Sequence, residues 1–111
     1  MRYAKLELGG RSYVCALTTR VLMELEEEGT SLDRMMGDGS NIKGVFKLLE
    51  KMLRAGAKYA AMEGIETAGA PSYDELLDMT TPEDYNGMVE AVTVAINGER
   101  AVEAEVDPKN A

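Results

Sequence analysis

Apolar and polar residues alternate over Tyr3 to Leu8 and again over Arg11 to Ala16, with Gly9-Gly10 between the two runs. Alternation places side chains on opposite faces of a strand, and paired glycines accept the positive φ angles of a tight turn, so the pattern predicts a β-hairpin. In that register Ala4, Leu6, Leu8, Tyr13 and Cys15 share one face, and Lys5, Glu7 and Ser12 share the other. An isolated hairpin is marginal in water, so it must pack on helices or pair with another chain through an edge.

From Leu17 the period changes from two to that of a helix. Leu17, Val21, Leu22 and Leu25 fall on one helical face, and the segment ends in Glu24, Glu26, Glu27 and Glu28 before Gly29. Carboxylates at a helix C-terminus meet the negative end of the macrodipole, which costs about 0.3–1 kcal/mol each when exposed. A solvated helix end tolerates that cost; a cationic neighbour offsets it. Gly29 to Ser40 reads as a glycine-flanked connection with a single turn around Ser31 to Met36.

The clearest element runs from an N-cap at Ser40 or Asn41 to about Met62. Ile42, Val45, Phe46, Leu49, Met52, Leu53, Gly56 and Tyr59 or Ala60 recur at spacings of three and four and form its apolar face. On the other side Lys43, Lys47, Lys51, Arg54 and Lys58 fall within roughly 80° of one another at 100° per residue. This basic stripe is either a solvated face or an electrostatic docking surface. Ser72-Tyr-Asp-Glu75 is a capping box opening a short helix that ends near Asp78-Met79. Thr81-Pro82-Glu83-Asp84 supplies a cap, an N1 proline and early carboxylates for a last helix. That helix buries Tyr85, Met88, Val89, Val92 and Ile96 and stops at Asn97-Gly98, a left-handed exit. The expected fold is therefore α+β and mostly α: a hairpin followed by about four helices, the second longest, in one domain over residues 1–98. Residues 99–111 have too little apolar content to order themselves and read as a disordered acidic tail.

Composition narrows the function. The chain of 111 residues contains no histidine and a single cysteine, Cys15. That removes the usual neutral-pH base and the commonest metal ligand, so no catalytic, cofactor or metal site is expected. Cys15 lies in a strand pattern, where a small buried apolar residue is the expected role. Neighbouring carboxylates such as Asp74 and Asp78, or Glu83 and Asp84, sit where helix starts already account for them. Gly37-Asp-Gly-Ser40 lacks the lysine and preceding strand of a phosphate-binding loop. The N-terminus has no apolar run for export, and no stretch is long enough to span a membrane.

Residues 1–62 carry ten basic and eight acidic side chains, and residues 63–111 carry two basic and twelve acidic ones. The net −8 disfavours nucleic acid as a partner. Eight methionines accompany one phenylalanine and no tryptophan. Met52 and Met88 stand on apolar helix faces and read as core, whereas Met35 and Met36, in the glycine-flanked segment, are candidates for a partner-facing patch. With them, Lys43, Lys47, Lys51, Arg54, Lys58, Glu24, Glu27 and Glu28 form the candidate partner-binding set.

The order of parts resembles the small tail assembly chaperones of long-tailed bacteriophages and prophages. The likeness rests on an N-terminal strand or hairpin, the segment Leu17-Thr-Thr-Arg-Val-Leu-Met-Glu-Leu-Glu-Glu-Glu28, a glycine-bearing gap, and the long helix Val45-Phe-Lys-Leu-Leu-Glu-Lys-Met-Leu-Arg-Ala-Gly-Ala57. Tyr73-Asp-Glu-Leu-Leu77 and the helix from Tyr85 to Ile96 continue it, so it spans roughly Tyr13 to Gly98 and contains no invariant chemical motif. The resemblance implies a non-enzymatic, self-associating protein that binds the tape-measure protein in the host cytoplasm and is absent from the mature virion. It also implies a frameshifted longer form that recruits the tail-tube protein. Asp107-Pro108-Lys109 is compatible with a slippery heptamer if encoded GAC-CCA-AAA. Two other readings stay open: an acidic regulatory or inhibitory module that titrates a basic partner, and a structural tail or head-completion protein.

Overall fold

A computed structural model describes residues 3–37 and 40–97. The tail expected at 99–111 and the glycine exit expected at Gly98 lie outside these residues.

Strands β1 (Tyr3–Leu8) and β2 (Arg11–Ala16) pair antiparallel, with Leu6 opposite Tyr13 and Ala4 opposite Cys15. Gly9 and Gly10 form the turn with φ of 58° and 78°, as the alternation requires. Ala4, Leu6, Leu8, Tyr13 and Cys15 are all buried on one face, while Lys5 and Glu7 are exposed. Burial pushes the Cys15 thiol up to about 12, so it stays protonated and behaves as a small apolar side chain.

The helices follow as α1 (Thr19–Glu27), α2 (Leu32–Met36), α3 (Ile42–Glu63), α4 (Tyr73–Met79) and, after a 3₁₀ turn at Pro82–Asp84, α5 (Tyr85–Ile96). The protein is thus α+β and mostly helical, with five α-helices among the described residues. The additional helix is α2, where the sequence pattern indicates only one turn. Its N-cap, Ser31, accepts a hydrogen bond from the Arg34 N–H at 3.3 Å, which fixes the start of a five-residue helix. This placement corrects the reading of Met35 as partner-facing. Met35 is 8% exposed and belongs to the core, and Met36 is half-buried against it.

Helix α3 organises the molecule. Asn41 caps it through the Gly44 N–H at 3.1 Å, and Gly64 ends it in the left-handed conformation. Val45, Leu49, Met52, Leu53 and Ala60 are buried as the three-and-four spacing requires, and Leu48 joins them. Ile42 departs from that pattern and is 58% exposed in the first turn of the helix. Leu22 departs likewise at 46%, since α1 buries only the narrow stripe Val21 and Leu25.

The outer edge of β2 is closed twice. Val14 N–H donates to Thr67 Oγ1 at 3.0 Å, and Ala68 N–H donates to the Ser12 carbonyl at 2.9 Å, so residues 67–68 take up two of the backbone groups of that edge. Beside them Gly56 brings α3 onto the Val14 carbonyl, an approach with no room for a Cβ. Helix α5 packs Met88, Ala91, Val92 and Ala95 into the same core as Ala4, Leu6 and Leu8. The hairpin is thereby held by helices, one of the two solutions open to it.

Candidate partner-binding site

The charged residues singled out in the sequence divide into an internal clamp and a free remainder. Lys51 is only 9% exposed. Its ammonium lies 3.7 Å from Glu24 and hydrogen-bonds Glu28. One turn on, Arg54 donates through Nη1 to Glu24 at 3.0 Å, and through Nε and Nη2 to Glu50 at 3.1 and 3.2 Å. The cations that answer the acidic C-terminal end of α1 therefore come from α3 of the same subunit. A helix end that is unfavourable in isolation becomes the means of fixing α1 across the middle of α3.

The Arg54 hydrogen bond, with the Arg54, Lys51 and Arg20 charges behind it, holds the Glu24 carboxyl below the usual glutamate range despite an opposing desolvation. A folded-state pKa depressed in this way contributes stability that is fully present above the unfolded value of about 4.5 and is lost as pH falls through the folded value. Glu24→Gln is therefore expected to lower the urea midpoint at pH 7 and to converge with the wild type in acid. Parallel midpoints at pH 7 and pH 3 would show that the clamp carries no linkage.

Lys43, Lys47 and Lys58 remain exposed and form no ion pair among the described residues. Glu27 is exposed and unpaired in the same sense. The structure thus brings together Glu24, Glu28, Lys51 and Arg54, and leaves Glu27, Lys43, Lys47 and Lys58 to solvent. Charge reversal at Lys51 would break the clamp, so Lys43 and Lys47 are the positions that probe the stripe without disturbing the fold.

Sequence reasoning misses an apolar concavity on the surface. It is a groove of about 300 Å³ between the first turns of α3, the end of α4 and the start of α5, lined by Ile42, Phe46, Leu77, Thr80, Pro82 and Tyr85. Phe46 and Tyr85 form part of its lining with ring centroids 6.3 Å apart and planes inclined by 23°. Ile42 and Leu77, 58% and 43% exposed, stand at its mouth. Local signals build each wall. The Ser72 and Glu75 capping box starts α4, with hydrogen bonds of 2.9 and 3.1 Å. Asp84 accepts from the Thr81 N–H at 2.8 Å and sets the 3₁₀ turn that leads into α5. The detectable signal was Leu76-Leu77, two adjacent apolar residues on a short helix that can bury only one of them.

The groove offers apolar contact and a nearby basic flank, Lys43 and Lys47. Among the described residues no group of three or more His, Cys, Asp or Glu side chains is placed to hold a metal ion. No described helix is long and apolar enough to cross a membrane. Compared with models of known families, with characterised proteins and with solved structures, the chain matches none.

Proposed function

We propose that the protein is a non-enzymatic tail assembly chaperone of a long-tailed phage or prophage, acting in the bacterial cytoplasm on the tape-measure protein. The observation that carries this reading is the groove between α3, α4 and α5, with Ile42 and Leu77 held open to solvent at its mouth. An amphipathic helix lays its apolar face into such a groove and is read by anchors at helical spacing. Tape-measure proteins expose long amphipathic helices before the tail tube encloses them, and many small chaperone copies along one client add avidity to weak individual contacts. The order of parts along the chain supports the same reading.

Leu77→Asp places a charge at the mouth of the groove at a position already 43% exposed and is expected to remove client binding, with circular dichroism of the variant checking that α4 is retained. Co-expression with a tape-measure fragment checks this. The wild type is expected to raise the soluble fraction of the fragment and the variant to leave it unchanged. A fragment no more soluble with the wild type than without it defeats the proposal, and retention of the protein in purified virions would favour a structural tail component. A coding sequence with no slippery run near Asp107 to Lys109 would remove the frameshifted form.

A further inference from the structure

The two outer edges of the hairpin are treated differently. On β2 the backbone groups of Ser12 and Val14 point away from β1, and residues 67–68 bond to them. Ser12 and Val14 stand opposite Glu7 and Lys5. In an antiparallel ladder such pairs exchange no hydrogen bond with each other, so Glu7 and Lys5 turn their own N–H and C=O groups to the outer edge of β1. None of the described residues hydrogen-bonds those groups. The Lys5 and Glu7 side chains are exposed, while Ala4, Leu6 and Leu8, which alternate with them, are buried.

The chain contains a segment patterned for that edge. Val102, Ala104 and Val106 alternate with Glu103, Glu105 and Asp107, the period of a strand with one apolar and one charged face. Six such residues bury too little to order alone, but a preformed edge supplies the ladder they lack. Helix α5 lies against β1 and ends at Ile96. Residues 98–101, if extended, reach about 13–14 Å from there, so the segment is delivered beside β1 at an effective concentration of about millimolar.

We propose that residues 102–107 pair with the free edge of β1 as a third strand of the sheet. Val102, Ala104 and Val106 then continue the buried face of Ala4, Leu6 and Leu8. Their charged neighbours come onto the solvent face beside Lys5, whose ammonium has no ion-pair partner among the described residues. A slip of one residue would turn three carboxylates toward the core, so the alternation decides which face is buried. The chain thereby covers β1 with one of its own segments, as residues 67–68 cover part of β2. The pairing involves the hairpin and not the groove lined by Ile42 and Leu77, so it stands or falls separately from the chaperone reading.

Amide hydrogen exchange followed residue by residue by NMR tests it, with the full chain set against a chain ending at Asn97. The Lys5 and Glu7 amides are expected to exchange at least about tenfold more slowly in the full chain. Leu6 and Tyr13, paired within the hairpin, should stay protected in both, which shows that the hairpin remains folded. In the full chain, Val102→Asp with Val106→Asp puts carboxylates on the face to be buried and should release Lys5 and Glu7 as far as the truncation does. Equal exchange at Lys5 and Glu7 in the full and shortened chains, or protection that survives the two aspartates, overturns the proposal. Protection that rises with protein concentration overturns it as well, because the edge would then be paired with a second copy.

Discussion

Gly56→Ala is expected to destabilise the protein by about 2–3 kcal/mol, although alanine is the better helix former by about 1 kcal/mol. A Cβ at this position would overlap the Val14 carbonyl oxygen and stand 2.6 Å from the Val14 carbonyl carbon and 3.2 Å from the Cys15 nitrogen. These are backbone atoms of a strand whose other side is paired to β1, so no rotamer change relieves the overlap. Helix α3 must lift from β2 or the strand must bend, and either movement loosens Leu49, Met52 and Leu53 in the core. The Thr67 and Ala68 hydrogen bonds that close the same edge would be strained as well. Thermal unfolding should show a fall in Tm on the order of 10–20 °C. Gly87→Ala is the control of opposite sign. Gly87 lies inside α5 with nothing within 4 Å of an added Cβ, so the substitution should stabilise by about 0.5–1 kcal/mol. Equal effects at the two glycines would mean that α3 does not rest on the Val14 carbonyl.

The contrast between these glycines marks where sequence pattern stops being informative. Alternation and helical spacing respond to which side of an element is apolar, so the hairpin register, most of the α3 core face and the cap at Ser72 can be read directly, and the α3 cap is narrowed to Ser40 or Asn41. Gly56 was visible as a member of the apolar face; that it touches backbone and not side chains depends on how closely α3 crosses β2. Lys51 falls in the middle of a basic stripe and has no local reason to be buried. Its burial follows from α1 bringing Glu24 and Glu28 over it, a tertiary fact. Leu22 and Ile42 fit the periodicity equally well as buried residues, and their exposure depends on which faces of α1 and α3 the other elements cover. The groove was illegible for the same reason: its walls come from three helices, and the tilt of α4 against α3 is set by packing that no window of sequence contains.

Leu76→Ala tests that last dependence and has the second large effect, about 3 kcal/mol within the 2–5 range for emptying a fully buried leucine site. Helix α4 has seven residues, far too few to persist in water alone, and Leu76 is its only buried side chain. Its capping box contributes about 1 kcal/mol, too little to hold the helix in place without that anchor. The loss is therefore expected to be local before it is global. Amides of residues 73–79 should lose hydrogen-exchange protection while those in the middle of α3, around Leu49 to Leu53, remain protected. Because α4 carries Leu77 and leads into Thr80 and Pro82, its detachment removes one wall of the groove, so client binding should be lost in a protein whose α3 and hairpin remain folded. Leu77→Ala, at an exposed position beside it, should weaken client binding without changing exchange in either helix. If the α4 and α3 amides of Leu76→Ala lose protection in step, α4 unfolds only with the rest of the molecule and the groove is not a separable element of the fold.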